Sequence, residues 1–383
     1  MRIGFVGCGY VADYYIVALK NHPELELIGV YDIRPDRVQA FSQFHNVPAY
    51  DSFEAMLADE SLDIVINLTN PREHYEVSKT ALKAGKHVYS EKPLAMDYDH
   101  AKELVALAKE QNVSLAAAPC NFLSESAQTV WHALRADKIG KVRLVYAELD
   151  GGLVPKMSHE TWLSISGIPW NAKDEFEVGC TMEHAGYYLG WLTMFFGPAK
   201  SVTSYSAILM PDKGMELNRA APDFSSGFIE FHSGVVARIT NSIIADHNHA
   251  FTITGDDGLI LVENGWHYHS PVYIQKRRMH TRLAELPLLY RLMGYGPRKY
   301  PMKRYPNPHY KRAGYLRSDL MDYGRGIAEL AASIRENRPS RMSAEHALHL
   351  TEITLTLQYP EKMGSPRQLE STFDPIEPME WGL

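Results

Sequence analysis

Short apolar runs separated by amphipathic stretches fill the first third of the chain. Runs at 2–6, 25–31, 62–68, 87–90 and 113–118 have strand length, and between them apolar positions fall at helical spacing over 52–58, 74–84 and 97–110. Gly85 follows Lys83 where a helix C-cap belongs. Strands alternating with helices of this length predict a parallel, doubly wound sheet. Beyond about residue 121 the pattern changes. A helix over 124–137 gives way to an alternating strand over 142–150, an irregular, tryptophan-bearing stretch over 161–170, and short strands over 201–210, 225–232, 235–246, 250–254 and 259–263. Turns such as His232-Ser233-Gly234 and Gly255-Asp256-Asp257-Gly258 read as hairpins of an open, mainly antiparallel sheet with one covered face. Helices over 319–337 and 344–357, the latter capped by Ser343, complete the pattern. The expected fold class is α/β, divided into 1–121 and 122–383.

The first run leads straight into Gly7-Cys8-Gly9-Tyr10-Val11-Ala12, the G-x-G-x-x-A form of the dinucleotide fingerprint of a Rossmann domain. Its first glycine allows the tight strand-to-helix turn, the second lets backbone approach a pyrophosphate, and the small third residue lets helix and strand pack closely. The phosphates then rest on free N–H groups of the helix N-terminus. The second run ends at Asp32, placed to accept hydrogen bonds from the adenosine ribose and to repel a 2′-phosphate, which favours NAD over NADP. Arg34 and Arg37 stand nearby and suit the 2′-phosphate instead, and Asp32 also fits a plain turn.

Composition narrows the classes. The chain has 383 residues, enough for two domains, and a net charge of −7 that argues against a nucleic-acid partner. Cys8, Cys120 and Cys180 are widely spaced with no C-x-x-C pair, so they read as free thiols of a reducing compartment. With the first strand starting at Arg2 and no apolar run of membrane-spanning length, a cytoplasmic location is expected. One segment, about 275–317, reverses the overall charge: it holds twelve Lys and Arg, among them Lys276, Arg277, Arg278, Arg282, Arg291, Arg298, Lys299, Lys303, Arg304, Lys311, Arg312 and Arg317, against the single acid Glu285. Such an insertion suits an anionic substrate group, a membrane surface or a neighbouring subunit, and equally a solvated loop.

Past the fourth run stands Glu91-Lys92-Pro93. Ligands of open α/β sheets bind at the carboxyl ends of the strands, so Lys92 is expected near the nicotinamide, where burial beside a cofactor that becomes cationic on oxidation would lower its pKa and suit it to acid/base work. Combined with the N-terminal fingerprint, Asn70-Pro71 and His74, the run Ala81-Leu82-Lys83-Ala84-Gly85-Lys86-His87-Val88 and then Glu91-Lys92-Pro93-Leu94-Ala95, the chain resembles the Gfo/Idh/MocA oxidoreductases. The likeness is good over about 1–120 and patchy beyond. It implies a Rossmann domain followed by an α/β domain whose open sheet supplies the substrate face and often an oligomer interface, here of a homo-oligomer, dimer or tetramer.

The resemblance carries a proton-handling role onto Lys92 and a cofactor set of Gly7, Gly9, Tyr10, Val11, Ala12, Asp32, Arg34, Thr69, Asn70, His74, Glu91 and Lys92. A second family motif, roughly D-x-G-x-H-x-x-D, falls on Glu183, Ala185, Tyr187 and Gly190, so this chain departs from it at all four positions. Glu183 and Tyr187 are four residues apart and share one helical face, with Tyr187 expected to titrate low beside Lys92. His184 on the adjacent stripe is a rival acid/base. Asn121, where relatives have N-x-R, lacks the arginine; Asn121, Glu183, Tyr187 and His247 are the candidate substrate contacts, and Asp246-His247-Asn248-His249 shows no ligand spacing that makes a metal site. The implied reaction moves a hydride between NAD and a secondary hydroxyl of a sugar, inositol or sugar nucleotide. Two alternatives stay open: a redox-neutral sugar enzyme, glycosidase or epimerase, that oxidises only transiently, and a non-catalytic sugar or cofactor sensor.

Overall fold

The computed structural model describes residues 1–277, 294–307 and 321–383. Strands β1 (Arg2–Val6), β2 (Glu26–Tyr31), β3 (Ile64–Asn67), β4 (His87–Ser90) and β5 (Leu115–Ala117) form a wholly parallel sheet in the order β2-β1-β3-β4-β5. Helices cover both faces, so the strands carry apolar residues on each: Ile3, Phe5, Ile64, Val65, Ile66 and Val88 are all fully buried. Ser52 and Asp97 cap the helices Phe53–Ala58 and Tyr98–Glu110, accepting from the Ala55 and Asp99 N–H groups. The chain turns to opposite sides after β1, which opens a crevice at the carboxyl ends of β1 and β3.

The second sheet has nine strands: β6 (Val142–Asp150), β7 (Ala199–Ala207), β8 (Phe224–Phe231), β9 (Val236–Ser242), β10 (Phe251–Gly255), β11 (Gly258–Val262), β12 (Val272–Lys276), β13 (Arg298–Lys299) and β14 (Arg367–Gln368), in the order β13-β12-β11-β10-β6-β9-β8-β7-β14. All pairings are antiparallel except β6 with β9. Along β6, Val145, Ala147 and Leu149 point into the core while Tyr146 faces out, and Phe228 on β8 and Tyr205 on β7 are exposed as well. The helix Ala344–Gln358 packs on β7 and also on the helix Tyr98–Glu110, tying the two sheets together.

Several elements differ from the sequence pattern. The strand expected to reach 246 ends at Ser242, because one step further on the Ser242 hydroxyl accepts from the Ile244 and Ala245 N–H groups and turns the chain. Strands β12, β13 and β14 were not anticipated; β12 and β13 lie within the basic segment and take up Lys276, Arg298 and Lys299. Arg277, Lys303 and Arg304 are also described, whereas Arg278, Arg282, Arg291, Lys311, Arg312 and Arg317 lie outside the described residues, as does the start of the helix expected over 319–337, which is observed as Gly324–Glu336. Among the described residues no helix is long and apolar enough to cross a membrane.

Candidate active site

The glycine loop has the geometry its sequence demands. Gly7 sits at φ +98°, and a Cβ there would lie 2.6 Å from the Leu68 carbonyl oxygen, so only glycine fits without strain. A Cβ on Gly9 would meet no protein atom within 4 Å, so the backbone there faces open space, as close approach of a pyrophosphate requires. Ala12 is fully buried and begins the helix Ala12–Ala18. Tyr10 and Val11 form the turn between, the Tyr10 hydroxyl lying 2.9 Å from that of Tyr14. At the tip of β2, Asp32 accepts from the Cys8 N–H at 2.8 Å and from the Arg34 N–H at 2.9 Å, which pins the loop to the acid. Arg34 is exposed and turned to Asp36 at 3.0 Å. Thr69 and Asn70 follow β3; the Thr69 hydroxyl donates to Asn67, and Asn70 is exposed.

Beneath the next turn, the buried His74 ring lies between the Pro93 and Thr69 carbonyl oxygens, at 2.7 and 3.0 Å. It thereby braces the crevice edge against the Glu91-Lys92-Pro93 turn, whose Lys92–Pro93 peptide is cis. Glu91 is also occupied: it accepts from the buried Tyr15 hydroxyl at 2.6 Å and from the Lys92 N–H at 3.0 Å. The Lys92 side chain is thus the group this turn sends into the cleft.

Opposite stands a helical stretch, Cys180–His184 running through Ala185 into Gly186–Phe196. Lys92 Nζ donates to Glu183 Oε2 and forms an ion pair with it across the two sheets. Tyr187 shares the pocket and interacts electrostatically with both. Burial alone would pull Lys92 down, but Glu183, Tyr187 and Glu91 outweigh it and push the ammonium's pKa up. Burial, with Glu91 and Glu183, likewise outweighs Lys92 and pushes the Tyr187 phenol up. The lowered values expected for both residues are therefore reversed, because the sequence did not reveal that Glu183 would neutralise Lys92 directly.

His184 Nε2 lies 3.6 Å from Glu175 Oε1. Burial, then Lys92 and His249, bring the His184 imidazole down to about 3, and burial beside Glu183 pushes the Glu175 carboxyl up to about 8. Asn121 is fully buried; its amide donates to the Tyr187 carbonyl at 3.0 Å and the Gly265 carbonyl at 3.4 Å, so it supports the pocket from behind. His247 is exposed, with its ring 4.2 Å from that of His249, and His249 is the one turned inward. Among the described residues no three His, Cys, Asp or Glu side chains gather as a metal site would need.

Three residues of the pocket carried no usable sequence signal. Trp266, in the turn between β11 and β12, lies 4.5 Å from the Tyr187 ring. Tyr323 stacks on Tyr14 and Tyr15 and lies within electrostatic reach of Tyr187 and Glu91. Glu175 lies on the short helix Ala172–Val178, which the apolar pattern does not predict. Only Gly265 hints at the first: a Cβ there would lie 2.3 Å from the Tyr188 ring, so the turn carrying Trp266 must be this close to the helix.

Residues 1–118 match the family model described as an oxidoreductase family with an NAD-binding Rossmann fold, and residues 127–261 match that of the GFO/IDH/MocA C-terminal domain. The chain belongs to the Gfo/Idh/MocA oxidoreductase family. As a Gfo/Idh/MocA protein it is an NAD(P)-binding oxidoreductase. It is 25% identical over 270 residues to trans-1,2-dihydrobenzene-1,2-diol dehydrogenase of Mus musculus, covering 70% of this chain and 75% of the relative. The Xenopus tropicalis enzyme of the same name is 26% identical over 266 residues, covering 68% and 74%. Among solved structures, the fold resembles a putative NADPH-dependent oxidoreductase from Desulfitobacterium hafniense, with TM-score 0.75, 17% identity and 96% and 97% of the two chains covered. It also resembles the WlbA dehydrogenase from Bordetella pertussis in complex with NADH and UDP-GlcNAcA, with TM-score 0.71, 19% identity and coverage of 97% and 98%.

Proposed function

We propose that the protein is an NAD-dependent dehydrogenase that oxidises a secondary hydroxyl of a sugar, inositol or related polyol. The observation that carries this reading is the Lys92–Glu183 ion pair with Tyr187 beside it, at the carboxyl end of β4 in the same parallel sheet as the strand that leads into the glycine loop. Gly7, Gly9 and Ala12 would hold the pyrophosphate, and Asp32 the ribose. With Asp32 at the tip of β2 and Arg34 engaged by Asp36, NAD is favoured over NADP. When bound, the nicotinamide supplies a hydride acceptor. Lys92, held as an ammonium, donates a hydrogen bond to the substrate hydroxyl oxygen, the Glu183 carboxylate accepts that hydroxyl's proton, and Tyr187 donates a second hydrogen bond to the same substrate oxygen. The O–H and C–H bonds break, a carbonyl forms, and the proton and hydride leave to separate acceptors. His74 and Asn121 are positioning residues. A relative named for a diol and a fold neighbour solved with a nucleotide sugar are consistent with a hydroxyl substrate.

Lys92→Ala is expected to lower turnover of an identified polyol by about 10²- to 10⁴-fold with NAD affinity retained. Unchanged turnover would remove Lys92 from the mechanism. A second reading, redox-neutral chemistry with a retained cofactor, draws support from a latch between the two parts of the chain. Ser166 donates to Asp13 Oδ2 through its N–H at 3.1 Å and its hydroxyl at 2.6 Å, just behind the glycine loop. Product formation with no net reduced nicotinamide is the signature of that reading.

A further inference from the structure

Trp266 is the centre of an aromatic cluster that closes the far side of the pocket. Its ring lies 4.5 Å from Tyr187 at 37°, 4.7 Å from His249 at 34° and 5.4 Å from His184 at 64°. The turn is fixed in place: the Trp266 N–H donates to Asn264 at 3.0 Å, and the Gly265 N–H donates to the Tyr188 hydroxyl at 2.9 Å. Tyr187 and His249 are buried, whereas Trp266 and the smaller His184 ring are partly exposed, so the indole is the largest plate of this cluster that retains accessible surface.

The charges around the plate are acidic or absent. Lys92 is already neutralised by Glu183, the further charges that bear on the pair are Glu91 and Asp174, and the Glu175 carboxyl, pushed up to about 8 by burial, holds its proton at neutral pH. Burial keeps the His184 and His249 imidazoles uncharged. Arg72, the cation nearest Asp174 in effect, is half-exposed and turned to the Glu177 carbonyl at 3.2 Å. Among the described residues, then, the pocket offers hydrogen-bonding edges and a π-face but no cation waiting for an anion. His184 Nδ1 is buried with no hydrogen-bond partner among the described residues, which leaves one neutral polar atom beside the plate.

We propose that Trp266 is the platform of the substrate subsite and takes the C–H face of an uncharged pyranose or cyclic polyol, in preference to a phosphorylated or nucleotide-linked sugar. The electron-rich indole face attracts the weakly positive axial C–H bonds of such a ring. Ring hydroxyls at its edge then meet Tyr187, Lys92 and the imidazole of His184. An anionic substituent on the same ring would face Glu91 and Asp174 with no cation in the pocket among the described residues other than Lys92, which Glu183 already neutralises. This rests on the dehydrogenase reading for the position of the reacting hydroxyl, but not for the binding itself.

Binding separates the two. Saturation-transfer NMR on the full chain with NAD would use myo-inositol and methyl glucosides as probes, each against its phosphate, and UDP-glucose. The uncharged rings are expected to bind, with transfer strongest to the protons of one ring face, and their phosphates to bind at least tenfold more weakly. Trp266→Ala should weaken the uncharged probes by about tenfold, while Trp266→Phe retains most of the affinity. Binding is read here without turnover, so probes that bind as expected but are not oxidised speak against the mechanism and not against the platform. Tighter binding of the anionic probes to the wild type, no binding of any uncharged probe, or wild-type affinity in Trp266→Ala overturns the proposal; the first two outcomes need no variant to fold.

Discussion

Two glycines two positions apart have different physical reasons to be glycine, and substitution separates them. Gly7 is held at a positive φ with backbone packed against its α-hydrogen, so Gly7→Ala is expected to cost about 2 kcal/mol or more of folding stability, read as a lower midpoint in denaturant titration. Gly9 has no protein neighbour to offend, so Gly9→Val should leave the midpoint nearly unchanged while weakening NAD at least tenfold in equilibrium binding. A Gly9→Val protein that binds NAD normally would show that the pyrophosphate does not pass over this loop. Both glycines were legible because their spacing reports a local turn. Trp266 was not, since its meaning comes from Tyr187, His184 and His249, residues that only the folded sheet brings to it. The same holds for the titration of Lys92 and Tyr187, whose sign was set by a partner on another element.

Among elements, the strand-to-turn at Glu91-Lys92-Pro93 and the helix beginning at Cys180 make the pocket, and the short helix Ala172–Val178 closes it from behind with Glu175. Because burial beside Glu183 pushes the Glu175 carboxyl up to about 8 in the folded chain against its ordinary 4.5, the native state binds its proton more tightly than the unfolded chain does. Glu175 therefore makes the fold lose stability as pH rises from about 4.5 to about 8, and none beyond. Glu175→Gln should flatten that part of the stability–pH curve relative to the wild type, measured by chemical denaturation at several pH values; parallel curves would mean that Glu175 is ionised in the fold. Long strands and amphipathic helices were readable from period alone. The two-residue strands β13 and β14 are too short to show alternation, and the parallel pairing of β6 with β9 is a long-range choice that no local pattern encodes.

At the scale of the whole molecule, the two sheets are joined by buried charge as well as by apolar packing. His22, from the first part of the chain, lies 3.0 Å from Asp322, with both side chains fully buried, and Arg325 pairs with Glu125 at 3.0 Å. Burial pulls the His22 imidazole down, but Asp322 and Glu24 outweigh it and hold it at about 9. A raised histidine stabilises the fold fully below about pH 6.5 and loses that contribution as pH climbs through 9. His22→Leu is expected to cost about 3 kcal/mol near pH 6 and clearly less above pH 9.5, with thermal unfolding as the readout; a pH-independent cost would mean that the seam holds a neutral imidazole. The glycine loop and Lys92 belong to the first of these two parts and Glu183 to the second, so the Lys92–Glu183 pair spans the cleft between them, the arrangement on which the proposed reaction depends. Its most direct test follows reduced nicotinamide by absorbance in wild-type and Lys92→Ala protein, each mixed with NAD and a panel of uncharged sugars and inositols. The expected result is one reduced nicotinamide per hydroxyl oxidised in the wild type and at least a hundredfold loss in the variant; equal rates in the two proteins, or product with no net reduced nicotinamide, would contradict it.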